Sequence, residues 1–277
     1  MFDNWLVISD MDGTLLNHYD YRVKAALPML EKLESAFIPV IFNTSKTFSE
    51  LKDWVDLLNN KHPFIVENGS AIYIPEDYFS EKFKTEFLSD ARIESGYRVL
   101  LTGIDILLIA EYVKKIKPDA IDLTRCGLQQ AMDITGLNKA EAMAAQNRQF
   151  SVPLMFQDDA KQQAFAEQAK HDGFGILKGG RFLHILGLCD KGSSMHILKK
   201  LYELQYQKTY GLIVLGDSPN DLAMLEQADS PVIVKSPSSH SIVIDHQAVF
   251  YSKREAPEGW VEGIDFALAN IKFNGSV

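Results

Sequence analysis

Cysteine is scarce in this chain. Cys126 and Cys189 are the only two, and neither belongs to a CxxC pair, so the sequence offers no zinc knuckle and no disulfide framework. A dense block of Lys and Arg is also missing. The 28 basic residues stand against 37 acidic ones, a formal net charge of −9. Nucleic acid and anionic membrane surfaces are therefore poor partners. An anionic ligand would need a local positive site, or a metal, set against that field. No apolar stretch is long enough to cross a bilayer, because "VLLTGIDILLIAEYV" is interrupted by Asp105 and Glu111. The opening "MFDNWLVISD" carries an acid at Asp3 and no basic segment, unlike a secretory signal. The expectation from these absences is a reduced, cytoplasmic protein.

What is present is ordinary globular composition, 46% hydrophobic and 23% charged over 277 residues, enough for one large domain or two unequal ones. Short apolar runs bounded by turn residues read as buried parallel strands: "WLVIS", "IPVIFN" and "PFIVE" early, "GLIVLG", "PVIVK" and "AVFY" late. Helical patterns lie between them, as in "VKAALPMLEKLESA", "FSELKDWVDLLNN", "KGSSMHILKKLYELQ" and "NDLAMLEQA". Alternation of this kind predicts an α/β core with an open parallel sheet. Ligands of such sheets bind beyond the carboxyl ends of the strands. Asp10, Thr44, Glu67 and Asp217 all fall at or just after predicted strand ends. Residues 81–188 read differently. They hold helical patterns at 104–116, 138–147 and 160–172, a strand "FSVPLMF", and a hairpin whose Gly179-Gly180 pair suits a tight turn. The expected organisation is a core of residues 1–80 and 189–277 with an α+β module, 81–188, inserted into it.

Four short motifs carry chemistry. "DMDGTLL" places Asp10 and Asp12 at the end of a greasy run, where a charge is costly unless paired or metal-bound. "NTSK" supplies the hydroxyls of Thr44 and Ser45 before a helix; each could cap that helix, or with backbone N–H groups bind an anion. Lys191 in "LCDKGSS" opens a helix, a position that opposes the macrodipole and so favours a functional role. "GDSPND" sets Asp217 and Asp221 at a strand-to-helix turn with Asn220 between them, a donor set suited to a hard cation.

In this order the four motifs resemble those of the haloacid dehalogenase-like phosphohydrolases. The resemblance implies a Rossmann-like core with a cap of mixed α+β type between the second and third motifs, and a specific division of labour. Asp10 would be the nucleophile that forms an aspartyl phosphate. Asp12 would protonate the leaving oxygen and then activate water. Mg²⁺ would sit between the Asp10 carboxylate, the Asp12 backbone carbonyl and Asp217, supported by Asp221. Lys191, Thr44, the Ser45 amide and Asn220 would hold phosphate oxygens. An acid at position 12 points to a phosphatase or a phosphosugar mutase, and the position of the insert argues against the mutases. Roughly 120 residues separate Asn68 from Lys191, close to the size of a small domain.

Further segments, "FNTSKT", "IVENGSAIYIP", "TGLNKAEAMAAQNRQFSVPLMF" and "KGGRFLHILGLCDKG", are similar to the mannosyl-3-phosphoglycerate phosphatases. That likeness implies a phosphorylated sugar as substrate and mannosylglycerate as product. It also implies substrate contacts from Asn68 on the core and from Gly179, Gly180 and Arg181 on the cap hairpin. Read from the residues alone, Gly179-Gly180 also fits a plain turn and Arg181 a solvated charge. His184 alternates along a strand and reads as structural. Arg148 reads equally as a ligand contact or a helix cap. One departure is Val152, where that family's segment often carries an acid before the proline; it bears on the sugar rather than on the reaction.

Overall fold

The computed structural model of the chain describes residues 4–237 and 242–271. In chain order the elements are β1 (Asn4–Ser9), α1 (Leu27–Ser35), β2 (Val40–Phe42), α2 (Phe48–Leu57), β3 (Phe64–Val66), β4 (Ala71–Pro75), α3 (Glu81–Phe87), β5 (Arg92–Glu94) and β6 (Tyr97–Leu101). There follow α4 (Ile106–Ile116), β7 (Ala120–Asp122), α5 (Leu128–Thr135), α6 (Lys139–Gln146), β8 (Ser151–Phe156), α7 (Asp159–His171), β9 (Gly175–Gly179) and β10 (Phe182–Leu186). The last group is α8 (Lys191–Tyr206), β11 (Tyr210–Gly216), α9 (Leu222–Leu225), β12 (Ser230–Ile233), β13 (Phe250–Tyr251) and α10 (Glu258–Asn270).

The first sheet is parallel throughout, in the order β13-β12-β11-β1-β2. Its strands read as unbroken apolar runs because both faces are covered. On β1, Trp5 and Val7 enter one hydrophobic cluster while Leu6 and Ile8 enter the other. Ile213 and Leu215 on β11 join the first cluster, and Leu212 and Val214 the second. This alternation holds β1 inside the sheet, between β11 and β2, and fixes which residue emerges at its carboxyl end.

A second sheet, β3-β4-β6-β5, is antiparallel. "PFIVE" was expected in the parallel sheet. As β3 it touches that sheet through a single parallel bridge, Asn43 to Ile65, and otherwise pairs antiparallel with β4. The expected insert boundary at residue 81 also needs moving. β6 pairs with β4 and β5 pairs with β6, and Phe83, Leu88 and Ala91 pack into the same cluster as Leu6 and Ile8. Residues 81–101 thus build on the core.

The sheet that stands apart is β7-β8-β10-β9, again antiparallel. Ile109 and Val113 of α4 and Phe165 and Ala169 of α7 cover one face, meeting Val152, Leu154, Leu183 and Ile185. A smaller cluster forms where Ala131 of α5 and Ala142 of α6 meet Leu123 and Phe182. This module is docked on the core. Thr47 donates to the Ala144 carbonyl (3.0 Å), Asn147 to Ser49 (2.7 Å), and β9 lies against Pro219–Asp221. Among the described residues no helix is long and apolar enough to cross a membrane.

Candidate active site

The Asp10 backbone N–H donates to the Leu215 carbonyl at 3.0 Å, carrying the β1–β11 pairing one residue past the strand. That bond delivers its carboxylate to the carboxyl end of the sheet. Lys191 meets it there. Asp190 caps α8 through a reciprocal box with Ser193, which puts Lys191 in the first turn. Its ammonium, with the side chain wholly buried, bridges Asp10 Oδ1 and Asp221 Oδ1 at 2.7 Å each. The other oxygen of Asp221 receives the backbone N–H groups of Asp217 (3.0 Å) and Ser218 (3.1 Å), so one carboxylate ties the turn after β11 to the lysine. Asp217 accepts from Thr14 at 3.0 Å and also from Ser236. Gly13, at φ +77°, makes the approach possible, since a Cβ there would lie 2.6 Å from Asp217 Oδ2.

The electrostatics of this group are unbalanced. Asp10, Asp217 and Asp221 are all buried, and among the described residues Lys191 alone bridges two of them, Asp10 and Asp221. Burial, then the charges of Asp221 and Asp217, hold Asp10 well above the usual carboxylate range despite Lys191. Asp217 is pushed up to about 7, by burial first and by Asp221 second. Carboxylate oxygens of the three acids lie within 4.8 Å of one another. Oxygen donors, net negative charge and close spacing fit a hard divalent cation, so the donor set matches the metal that the sequence motifs imply.

Asp12 sits apart from this cluster. Its Oδ2 pairs with Lys46 Nζ at 2.9 Å, and its Oδ1 is buried with no hydrogen-bond partner. Lys46 is itself nearly buried and lies 5.1 Å above the Tyr21 ring. Burial pulls its pKa down, but Asp12 and Glu50 outweigh that and leave it above the usual lysine range. Lys46 closes the "NTSK" motif, whose spacing alone gives it no role.

Thr44 and Ser45 do not cap α2. Thr47 does, in a capping box with Glu50. Thr44 is fully buried; its N–H donates to Ile65 O (3.0 Å) and its hydroxyl accepts from the Lys46 N–H (3.2 Å). The half-buried Ser45 offers its carbonyl to both terminal nitrogens of Arg148, at 3.3 and 3.2 Å. Asn68 follows β3 in a left-handed run, Glu67, Asn68 and Gly69 all having positive φ. Its N–H donates to Thr44 O, its Oδ1 accepts from Asn220 Nδ2 at 3.2 Å, and its buried Nδ2 has no partner. These hydrogen bonds tie the second motif to Asn68 and Asn68 to the fourth.

The cap hairpin makes its own contacts. Gly180, at φ +53°, makes the turn after Gly179, and Arg181 is exposed and donates to the Ile134 carbonyl within the cap. Among the described residues no hydrogen bond joins Gly179, Gly180 or Arg181 to the core. Val152 is buried in the cap's interior beside Ile109 and Leu183, so the departure noted there faces packing.

Two further ionisable side chains are buried. Glu67 is buried and receives the N–H groups of Gln149 (2.8 Å) and Phe150 (3.3 Å) and the Ser151 hydroxyl (2.5 Å), with Arg148 3.5 Å away. Arg148 therefore neither caps a helix nor stands free: it fastens the return strand of the cap to the "NTSK" loop. His184 is buried with Nδ1 unpartnered, and burial, with the Arg148 charge nearby, lowers its pKa to about 3. The alternation on β10 had marked it as structural, and its neutral, enclosed state agrees.

A parallel α/β core with four motifs meeting at its strand ends, and a module docked over them, defines a capped α/β hydrolase. The sequence profile of the haloacid dehalogenase-like hydrolases matches residues 7–243, and the chain belongs to this family. Curated relatives include a glucosyl-3-phosphoglycerate/mannosyl-3-phosphoglycerate phosphatase of Persephonella marina, 32% identical over 96% of this chain and 98% of that one. Another of the same description, from Methanococcoides burtonii, is 35% identical over 94% of this chain and 95% of its own. Among solved structures, a phosphatase of the same superfamily from Bacteroides thetaiotaomicron shares the fold with a TM-score of 0.65 at 16% identity, covering 96% of each chain. The sucrose-phosphatase of Synechocystis shares it with a TM-score of 0.59 at 15% identity, over 96% of this chain and 99% of that one.

Proposed function

We propose that this hydrolase is a cytoplasmic phosphatase that removes the phosphate of mannosyl-3-phosphoglycerate to give mannosylglycerate. The observation that carries the reading is the buried Asp10–Lys191–Asp221 linkage with Asp217 beside it, in a chain whose relatives at 32–35% identity are named for this substrate. Asp10 attacks phosphorus as the P–O bond to the leaving group breaks, and an aspartyl phosphate forms. Asp12 gives its proton to the departing oxygen, then takes one from the water that hydrolyses the intermediate, so the acid is regenerated. Lys191, Thr44, the Ser45 N–H and Asn220 hold the phosphate oxygens. Mg²⁺ held by Asp10, Asp217 and the Asp12 carbonyl, with Asp221 behind, would supply positive charge against two approaching anions. The module of residues 102–187 covers the site, keeps water out and brings Gly179, Gly180 and Arg181 to the substrate's side, with Asn68 facing it from the core.

The glucosyl compound is a second reading, favoured because the relatives' description names both sugars. The test is phosphate release with Mg²⁺ from mannosyl-3-phosphoglycerate, glucosyl-3-phosphoglycerate, sucrose 6-phosphate and an aryl phosphate. Preference for the first is expected. Preference for sucrose 6-phosphate would reject the substrate and keep the chemistry; release from none would reject both.

A further inference from the structure

We propose that the cavity of about 310 Å³ between α2 and α6 is the leaving-group subsite. Lys46 at its inner end takes the leaving group's carboxylate, and the outer part takes a neutral sugar ring. This rests on the phosphatase reading and says what the site holds beyond the phosphate.

Position is the first argument. Proton transfer requires the ester oxygen to lie within hydrogen-bond reach of Asp12. Lys46 Nζ is one further hydrogen-bond length away, 2.9 Å from Asp12 Oδ2. In a 3-phosphoglycerate the carboxylate is three bonds from that ester oxygen, which places it within reach of the same ammonium. An ammonium has three donors, and Asp12 occupies one. The second argument is the lining. Tyr21 and Trp54 offer aromatic faces for the apolar face of a pyranose, and Glu50, Asp53 and Glu141 offer acceptors for hydroxyl donors. Those three acids would repel a second phosphate or a second carboxylate, so the outer half of the ligand is uncharged and rich in hydroxyls. A volume near the lower end of the range for small-molecule sites suits a single sugar ring rather than a longer glycan. The third argument is that core and cap build the cavity jointly. α2 brings Glu50, Asp53 and Trp54 and α6 brings Glu141, held together by the Thr47–Ala144 and Ser49–Asn147 hydrogen bonds.

The experiment measures phosphate release from a glycosyl-3-phosphoglycerate, from 3-phosphoglycerate without the sugar, and from glycerol 3-phosphate without the carboxylate. In Lys46→Met, the preference for 3-phosphoglycerate over glycerol 3-phosphate is expected to fall by about tenfold, whatever the overall loss of rate. In Ala140→Trp, an exposed helix position on the cavity wall, KM for the glycosyl substrate is expected to rise about tenfold relative to 3-phosphoglycerate. Asp53→Asn, also exposed, should move the same ratio in the same direction. If all three substrates change in parallel in these variants, the subsite is wrong and the phosphatase stands. If the wild-type enzyme releases phosphate from none of the three, the functional reading fails and the subsite with it.

Discussion

At the scale of single residues, the site is a set of charges held in unfavourable places. Asp10 shares a buried space with two other acids and one lysine, so its charge matters to chemistry rather than to folding. Asp10→Asn is therefore expected to lower phosphate release by about 10³-fold or more while the thermal midpoint holds or rises, as like-charge repulsion is relieved. Near-wild-type turnover in that variant would sink the nucleophile assignment. Lys191→Met should act in the opposite sense on stability. It leaves buried carboxylates uncompensated and is expected to cost about 3–5 kcal/mol in denaturant unfolding. His184 gives a pH signature. Its folded pKa of about 3 lies below the unfolded value of 6.5, so the unfolded chain binds the proton first and stability falls as pH drops from 6.5 toward 3. The slope from this one residue approaches about 1.4 kcal/mol per pH unit. A His184→Gln chain should show a shallower fall; identical profiles would mean His184 is solvated.

Elements matter here for what their ends carry. The loop after β3 exists to turn, and its left-handed run places Glu67 inward beneath the residues that return from the cap. Glu67 raises a testable question about the junction. Burial lifts its pKa, while Arg148 and three hydrogen-bond donors oppose that lift. Glu67→Gln keeps the shape and removes the charge facing Arg148. Expected outcomes are a loss of about 2–4 kcal/mol and faster amide exchange at Gln149 and Phe150, because these N–H groups lose a charged acceptor. Unchanged exchange at those two amides would show that packing, not the carboxylate, holds the cap.

At the scale of the whole molecule, the site is complete only where four segments of the chain converge and where a cation balances them. Stripping divalent metal should lower the thermal midpoint. Mg²⁺ at one hundred times its dissociation constant should restore about 2.7 kcal/mol, since it binds the folded state alone. A midpoint indifferent to chelator and to Mg²⁺ would show that Asp10, Asp217 and Asp221 form no metal site.

The sequence by itself determined the class of fold and which residues form the core of the candidate site. Apolar runs ending in polar turns are local signals, and Asp10, Thr44, Lys191 and Asp217 could be placed at element ends without knowing the partner of any strand. Short, half-exposed edge elements gave no such signal. β5 and β7 lie at sheet edges with little buried, and α5 starts at Gly127 with no side-chain cap and buries only Ala131. Pairing across long loops was equally hidden. That Tyr97–Leu101 joins the second sheet depends on β4, and that Arg92–Glu94 joins it depends on β6; the Lys46–Asp12 pair depends on how two core loops meet, and the Glu67–Arg148 pair on how the cap's return segment docks. Only the tertiary structure decided those, because a charge pair and a strand register are set by which surfaces meet, and hydrophobic patterning along the chain says that a face is buried without saying against what.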